Sequence, residues 1–180
     1  MDEELSTRQQ PHSIEAEQAV LGSILIDSRC LNDVIGILRA EDFYQKQNKE
    51  ISQTIYTMFN FSQTVDPVTV LEKMRQDGVY HDNSRDYIRQ LMEITPTAAN
   101  AVKYANIVRD KSMLRGLADV GSDIVESVFA QVGAPSELLE NAEKKIYALR
   151  KGERGDSLEH IGVTLHKVFD RLTELSQSDS

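Results

Sequence analysis

Residues 94–150 read ITPTAANAVKYANIVRDKSMLRGLADVGSDIVESVFAQVGAPSELLENAEKKIYALR, and this stretch decides the fold. Thr95-Pro96-Thr97 stops one helix and caps the next, because proline lacks the amide a continuing helix needs and threonine offers an oxygen to the first free amides. From Ala98 to Val132 there is no proline and there are only two glycines, before the chain breaks at Gly133-Ala134-Pro135-Ser136. A helix of that length would be roughly 50 Å long, whereas a compact globule of about 100 residues has a radius of gyration near 13 Å. Part of it is therefore expected to project, and its apolar side needs a cover.

The segment from Glu137 to Arg150, launched by Pro135 and the cap candidate Ser136, supplies one, so the pair reads as a helical hairpin over 97–150. Its first arm places Tyr104, Ile107, Val108, Leu114, Leu117, Ile124, Val125 and Val128 at three- and four-residue steps. Its second arm places Leu138, Leu139, Ala142, Ile146 and Leu149 likewise. Two helices cannot bury two stripes of that width alone. Either the rest of the same chain covers them or a second copy does. In the second case Tyr104, Leu114, Leu117, Ile124, Val125, Val128, Leu138, Leu139 and Ile146 are the candidate dimer interface.

Upstream, residues 1–12 read as a polar tail and 13–96 as a small helical head. Ser13 caps a helix with Glu15 in its first turn, where a carboxylate meets the positive helix end, and this helix turns Ile14, Ala19, Val20, Ile24 and Leu25 inward through Gly22. A short helix is expected from Leu31 to Leu38, then a turn at Asp42-Phe43-Tyr44. A third helix runs from Gln47 to Phe61 with Ile51, Ile55, Met58 and Phe59 on one side. Asp66-Pro67 is a helix start, an acidic cap followed by proline at the first position, and that helix ends near Gly78. Ser84 to Glu93 gives another, with Tyr87, Ile88, Leu91 and Met92. No stretch reads as a strand, so the fold class is all-α.

Past Arg150, Lys151-Gly152-Glu153-Arg154-Gly155-Asp156 opens a polar hinge over 151–157, and Asp156 or Ser157 can cap a last helix over 158–175. Ile161, Leu165, Val168, Phe169 and Leu172 recur on one side of it. An amphipathic helix on a leash packs back on its own domain or docks elsewhere. Residues 176–180 look like the start of a further linker.

Composition excludes several classes. Hydrophobic residues make up 40% of 180, enough for a modest core in one domain with an appendage. No apolar run is long enough to span a membrane, and Met1-Asp2-Glu3-Glu4 is acidic where a signal peptide would be basic, so a cytoplasmic location is expected. Cys30, the single cysteine, reads as a small buried hydrophobe. With 29 acidic against 20 basic residues the net charge is −9, the wrong sign for gripping phosphates, so little direct nucleic acid binding is expected.

Catalytic chemistry is not found either. No glycine is followed by lysine, which excludes the phosphate-binding G-x-x-x-x-G-K-[ST] loop. His12, His81, His160 and His166 show no i, i+4 ligand spacing. Glu15 and Glu17, the one conceivable acid/base pair, lie two apart on a helix, point away from each other and read as a solvated face. No catalytic, cofactor-binding or metal-ligating residue is therefore assigned.

Four separated stretches, SIEAEQAVLGSIL (13–25), EDFY (41–44), VDPVTV (65–70) and YIRQLMEITPTAANAVKYANIVRDKSMLR (87–115), closely resemble the amino-terminal part of the bacterial replicative DNA helicase family, DnaB. They occur in the right order and spacing, and the resemblance runs from Ser13 to Leu175. Two departures are Asn48, where that family usually has histidine, and the loop His81-Asp82-Asn83-Ser84, where relatives tend to have a glycine pair.

The resemblance implies a module of a hexameric motor that unwinds DNA at replication forks. ATP and Mg²⁺ would belong to a RecA-like motor domain that these residues do not include. It also implies hairpins that pair between subunits, three such dimers forming a collar, and docking of the carboxy-terminal domain of primase near Tyr87, Ala118 and Ile124. A helicase loader is a further implied partner. The helix over 158–175 would pack on the motor of the adjacent subunit through Ile161, Leu165, Val168, Phe169 and Leu172. The other reading of the chain is a free-standing helical adaptor or regulator never attached to a motor.

Overall fold

In a computed structural model, residues 8–152 are described, and they form seven α-helices. They are α1 (Ile14–Ile26), α2 (Leu31–Ile35), α3 (Lys46–Asn60), α4 (Pro67–Gln76), α5 (Ser84–Glu93), α6 (Ala101–Ala130) and α7 (Pro135–Gly152). Short 3-10 turns at Ser28–Cys30 and Ala40–Asp42 link the first three. There is no strand among the described residues. The expected hinge and last helix, 151–175, lie almost wholly outside them.

The local signals act as their chemistry dictates. The Ser13 hydroxyl accepts from the Ala16 amide at 3.2 Å. Asp66 accepts from the amides of Val68 and Thr69 at 2.9 Å each, while the Thr69 hydroxyl accepts from the Asp66 amide at 3.0 Å, closing a reciprocal cap over Pro67. Gly78 follows α4 at φ 74°, the left-handed conformation glycine adopts without steric cost. The helix expected over 31–38 is shorter: α2 stops at Ile35, Gly36 follows it, and the chain closes a last turn from the Leu38 amide to the Val34 carbonyl at 2.8 Å. The long helix starts at Ala101 rather than Ala98, because 98–100 form a turn whose Ala99 amide is held by the Thr97 hydroxyl at 3.1 Å.

The chain divides into two compact units, residues 1–116 and 117–180. The first is the head with the opening turns of α6. Its core gathers Val20, Leu21 and Ile24 of α1, Ile51 and Ile55 of α3, Met74 of α4 and Leu91 of α5, with Ala105 and Val108 of α6. The head therefore does not end at Pro96. At the crossing of α1 and α5 a side chain at Gly22 would put its Cβ 2.1 Å from the Thr95 Oγ1 and 2.3 Å from the Leu91 carbonyl, so the close approach requires glycine. The second unit contains the rest of α6 and α7, joined by a tight turn in which Gly133 has φ 126° and the Ala134 amide is accepted by Glu137 at 3.2 Å.

Candidate functional site

In the second unit the apolar residues of both arms remain open to solvent. Leu117 is 46% exposed, Phe129 79% and Leu139 63%, with Val125, Val128, Val132, Ile146 and Tyr147 also exposed. Between the arms lies an apolar groove of ≈ 650 Å³ lined by Ile124, Val128, Pro135, Leu138, Leu139 and Ala142. Lys145 reaches across the arms to Asp123 at 3.2 Å. Exposed, partly screened pairs of this kind contribute little, so the unburied hydrocarbon dominates the energetics. At about 25 cal/mol per Å², each such side chain left wet forgoes burial free energy, and a contiguous exposed apolar surface of this kind is uncommon on a monomer.

Of the candidate dimer residues, Leu114, Leu117, Val125, Val128, Leu139 and Ile146 are exposed and Ile124 and Leu138 half-buried. Tyr104 differs: it packs against the head core in the first unit. Of the candidate primase contacts, Ala118 is exposed and Ile124 half-buried, but Tyr87 is only 8% exposed. Its hydroxyl donates to the Asn48 Oδ1 at 2.5 Å and accepts from Gln18 Nε2 at 3.3 Å, and burial pushes its pKa above the ordinary phenol value. Tyr87 is thus a core residue with its polar tip already satisfied. The linker-helix residues Ile161, Leu165, Val168, Phe169 and Leu172 lie outside the described residues.

Tyr87 leads to a network that sequence reasoning missed. Glu17, expected on a solvated face, is 1% exposed. Its carboxylate accepts from the Tyr44 amide at 2.5 Å, the Gln45 amide at 3.3 Å and Asn48 Nδ2 at 2.9 Å. These donors cluster at the amino-terminal end of α3, where Gln45 makes no side-chain cap of its own. Glu17 therefore caps α3 from across the core, a carboxylate at the positive end of a helix dipole. The available signal was Gln45 itself, a poor cap at the head of a strongly amphipathic helix, which implies a donor-satisfying group from elsewhere. Asn48 links Glu17 to Tyr87.

A second cluster fixes the entry of the chain. Arg115 Nη1 donates to the Pro11 carbonyl at 2.7 Å and Nη2 to the Asp42 carbonyl at 2.6 Å, while its guanidinium lies 5.4 Å from the Tyr44 ring centre. The His12 ring stacks on Tyr44 at 4.3 Å, and Ser112 donates to Asp42 Oδ1 at 2.7 Å. These contacts tie the entry of the chain to α6. Among the described residues no cluster of His, Cys, Asp and Glu could hold a metal ion, and no helix is long and apolar enough to cross a membrane.

Comparison with known proteins accords with this geometry. The crystal structure of the N-terminal domain of DnaB helicase from Mycobacterium tuberculosis superposes with a TM-score of 0.73 at 31% identity, covering 78% of this chain and 99% of that one. The replicative DNA helicase DnaB of Pasteurella multocida is 32% identical over 173 residues, 94% of this chain and 37% of the relative. That of Geobacillus stearothermophilus is 31% identical over 180 residues, 99% of this chain and 40% of the relative. The chain thus spans well under half the length of these curated relatives. The model of the DnaB-like helicase N terminal domain matches residues 9–110, and the chain belongs to that family.

Proposed function

We propose that this chain is the collar and partner-docking module of a replicative DNA helicase, and that its hairpin associates with the hairpin of a second copy. The observation that carries the reading is the apolar surface left open on both arms, above all Leu117, Val125, Phe129 and Leu139. In the full assembly such dimers would join as a hexamer that unwinds duplex DNA with ATP. Nucleotide chemistry would fall to a motor domain outside these 180 residues, which carry no phosphate-binding loop. Primase is the proposed docking partner, on the exposed surface around Ala118 rather than on Tyr87, and a helicase loader is a further candidate. A cytoplasmic setting fits this role.

Light scattering at tens of micromolar should give a mass above the 20.3 kDa of one chain. Aspartate at Leu117 or Ile124 should lower it, because burying an unpaired carboxylate in an apolar interface is unfavourable. A stably folded monomer at that concentration would refute the hairpin as an association surface.

A further inference from the structure

Within the first unit, the opening turns of α6 are held to the head by two kinds of contact. Ala101, Ala105 and Val108 are buried, but past Val108 the helix buries no side chain. Over residues 109–116 the attachment is polar instead. Ser112 donates to Asp42 Oδ1 at 2.7 Å, and Arg115 donates to the Asp42 carbonyl at 2.6 Å and to the Pro11 carbonyl at 2.7 Å. We propose that Pro11, His12 and Arg115 form a releasable clasp. Closed, it keeps residues 109–116 on the head; open, it lets them come away together while the head core stays folded. The clasp does not depend on association between copies.

One jaw is fixed. Phe43 is buried in the core, and the Tyr44 amide is held by the buried Glu17 carboxylate. Asp42 closes its own 3-10 turn by accepting from the Arg39 amide at 2.7 Å. The carbonyl and the ring face that meet Arg115 on this side are therefore anchored.

The other jaw is lightly held. Residues 8–10 are exposed, Pro11 and His12 are half-buried, and none of them belongs to the head core. The His12 ring stacks on Tyr44 at 4.3 Å with the planes 13° apart, and its Nδ1 donates to the Gln10 carbonyl at 2.6 Å. Arg115 pins this strap to the fixed jaw with a planar fork, two donors on two carbonyls, a geometry that lysine does not reproduce. Both acceptors are neutral, so without Pro11 the guanidinium keeps half of its anchorage.

Arg109, in the same turns, works against closure. Its Nε is buried with no hydrogen-bond partner among the described residues, a cost that disappears in an open state that admits water. With no buried apolar side chain over 109–116 to outweigh it, the closed state rests on the clasp.

The test is amide hydrogen exchange of the full chain, resolved by residue with nuclear magnetic resonance. His12→Ala removes the ring that seats the strap, and Arg115→Lys keeps the charge but loses the fork. Each should speed exchange at residues 112–116 about tenfold or more, the scale of one lost charge-assisted hydrogen bond, while the amides of Ile24 and Ile55 exchange as in the wild type. The double variant should be no faster than the faster single one, because both open the same clasp. Acceleration that spreads equally to α1 and α3 reports a loss of global stability and overturns the proposal. So do wild-type rates at 112–116 in His12→Ala, or additive effects in the double variant. His12→Ala, a change outside the core, decides alone if Arg115→Lys fails to fold. Measurement at two protein concentrations separates the clasp from association: protection that follows concentration rather than substitution overturns the clasp and leaves pairing of the hairpins untouched.

Discussion

Glu17 offers the sharpest test of how the head is held. Replacing it with alanine removes the acceptor for two backbone amides and the Asn48 side chain at the amino-terminal end of α3. Each buried donor left unpaired costs about 1–3 kcal/mol, and the vacated volume adds a cavity term. Against this stands relief of the cost of burying a carboxylate, so the net loss for Glu17→Ala is about 3–5 kcal/mol. That is a large share of the 5–15 kcal/mol typical of a domain. Glu17→Gln keeps one acceptor oxygen and the shape but loses the charge–dipole attraction, up to about 2 kcal/mol in partly buried geometry. Its amide also turns a donor toward existing donors. We expect it to cost about 1–3 kcal/mol, or roughly 5–15 °C in Tm for a unit of this size. Urea unfolding followed by circular dichroism at 222 nm measures both, with an unchanged slope identifying a pure stability effect. A loss below about 0.5 kcal/mol for Glu17→Gln at constant slope would refute the carboxylate as the cap of α3.

Gly22→Ala should destabilise the head by about 1–3 kcal/mol or more despite alanine's better helix propensity, and Thr95→Ala should not restore it, because the Leu91 backbone carbonyl still stands 2.3 Å from the new Cβ; thermal melts of the single and double variants check this. Arg115→Ala removes the donors to the Pro11 and Asp42 carbonyls and should cost about 1–3 kcal/mol, with amide exchange accelerated around His12 and Tyr44. Tyr56, whose hydroxyl donates to the Leu38 carbonyl at 3.0 Å, has its pKa pushed well up, first by burial and then by Asp42 and Glu41. Since the folded value lies above the unfolded one, the stability it contributes is complete below about pH 10 and is lost as pH rises further; Tyr56→Phe should flatten the alkaline limb of a stability–pH curve. The wild-type chain should show no ATP turnover after rigorous purification, as measured by phosphate release, and a persistent activity would contradict the absence of a phosphate loop.

Among the described residues the helix inventory was legible in the sequence because its signals are local. Ser13, Asp66-Pro67 and Gly78 act through atoms within a few residues, and their caps and stops stand where the chain writes them. So was the hairpin, since Gly133-Ala134-Pro135 interrupts two long apolar periodicities without reference to anything distant. What only the tertiary structure decided were matters of partnership between segments far apart in the chain. Glu17 looks like any solvated helix glutamate until α3 arrives with an uncapped end, and then burial becomes favourable because three donors await it. Tyr87 looks like an interface aromatic until Asn48 and Gln18 meet its hydroxyl. Val108, which shares a periodicity with Leu117 and Val128, belongs to the head core, while the other two stay exposed. Periodicity says which residues share a face; which part of that face finds a partner depends on long-range packing, and no spacing along one helix encodes it.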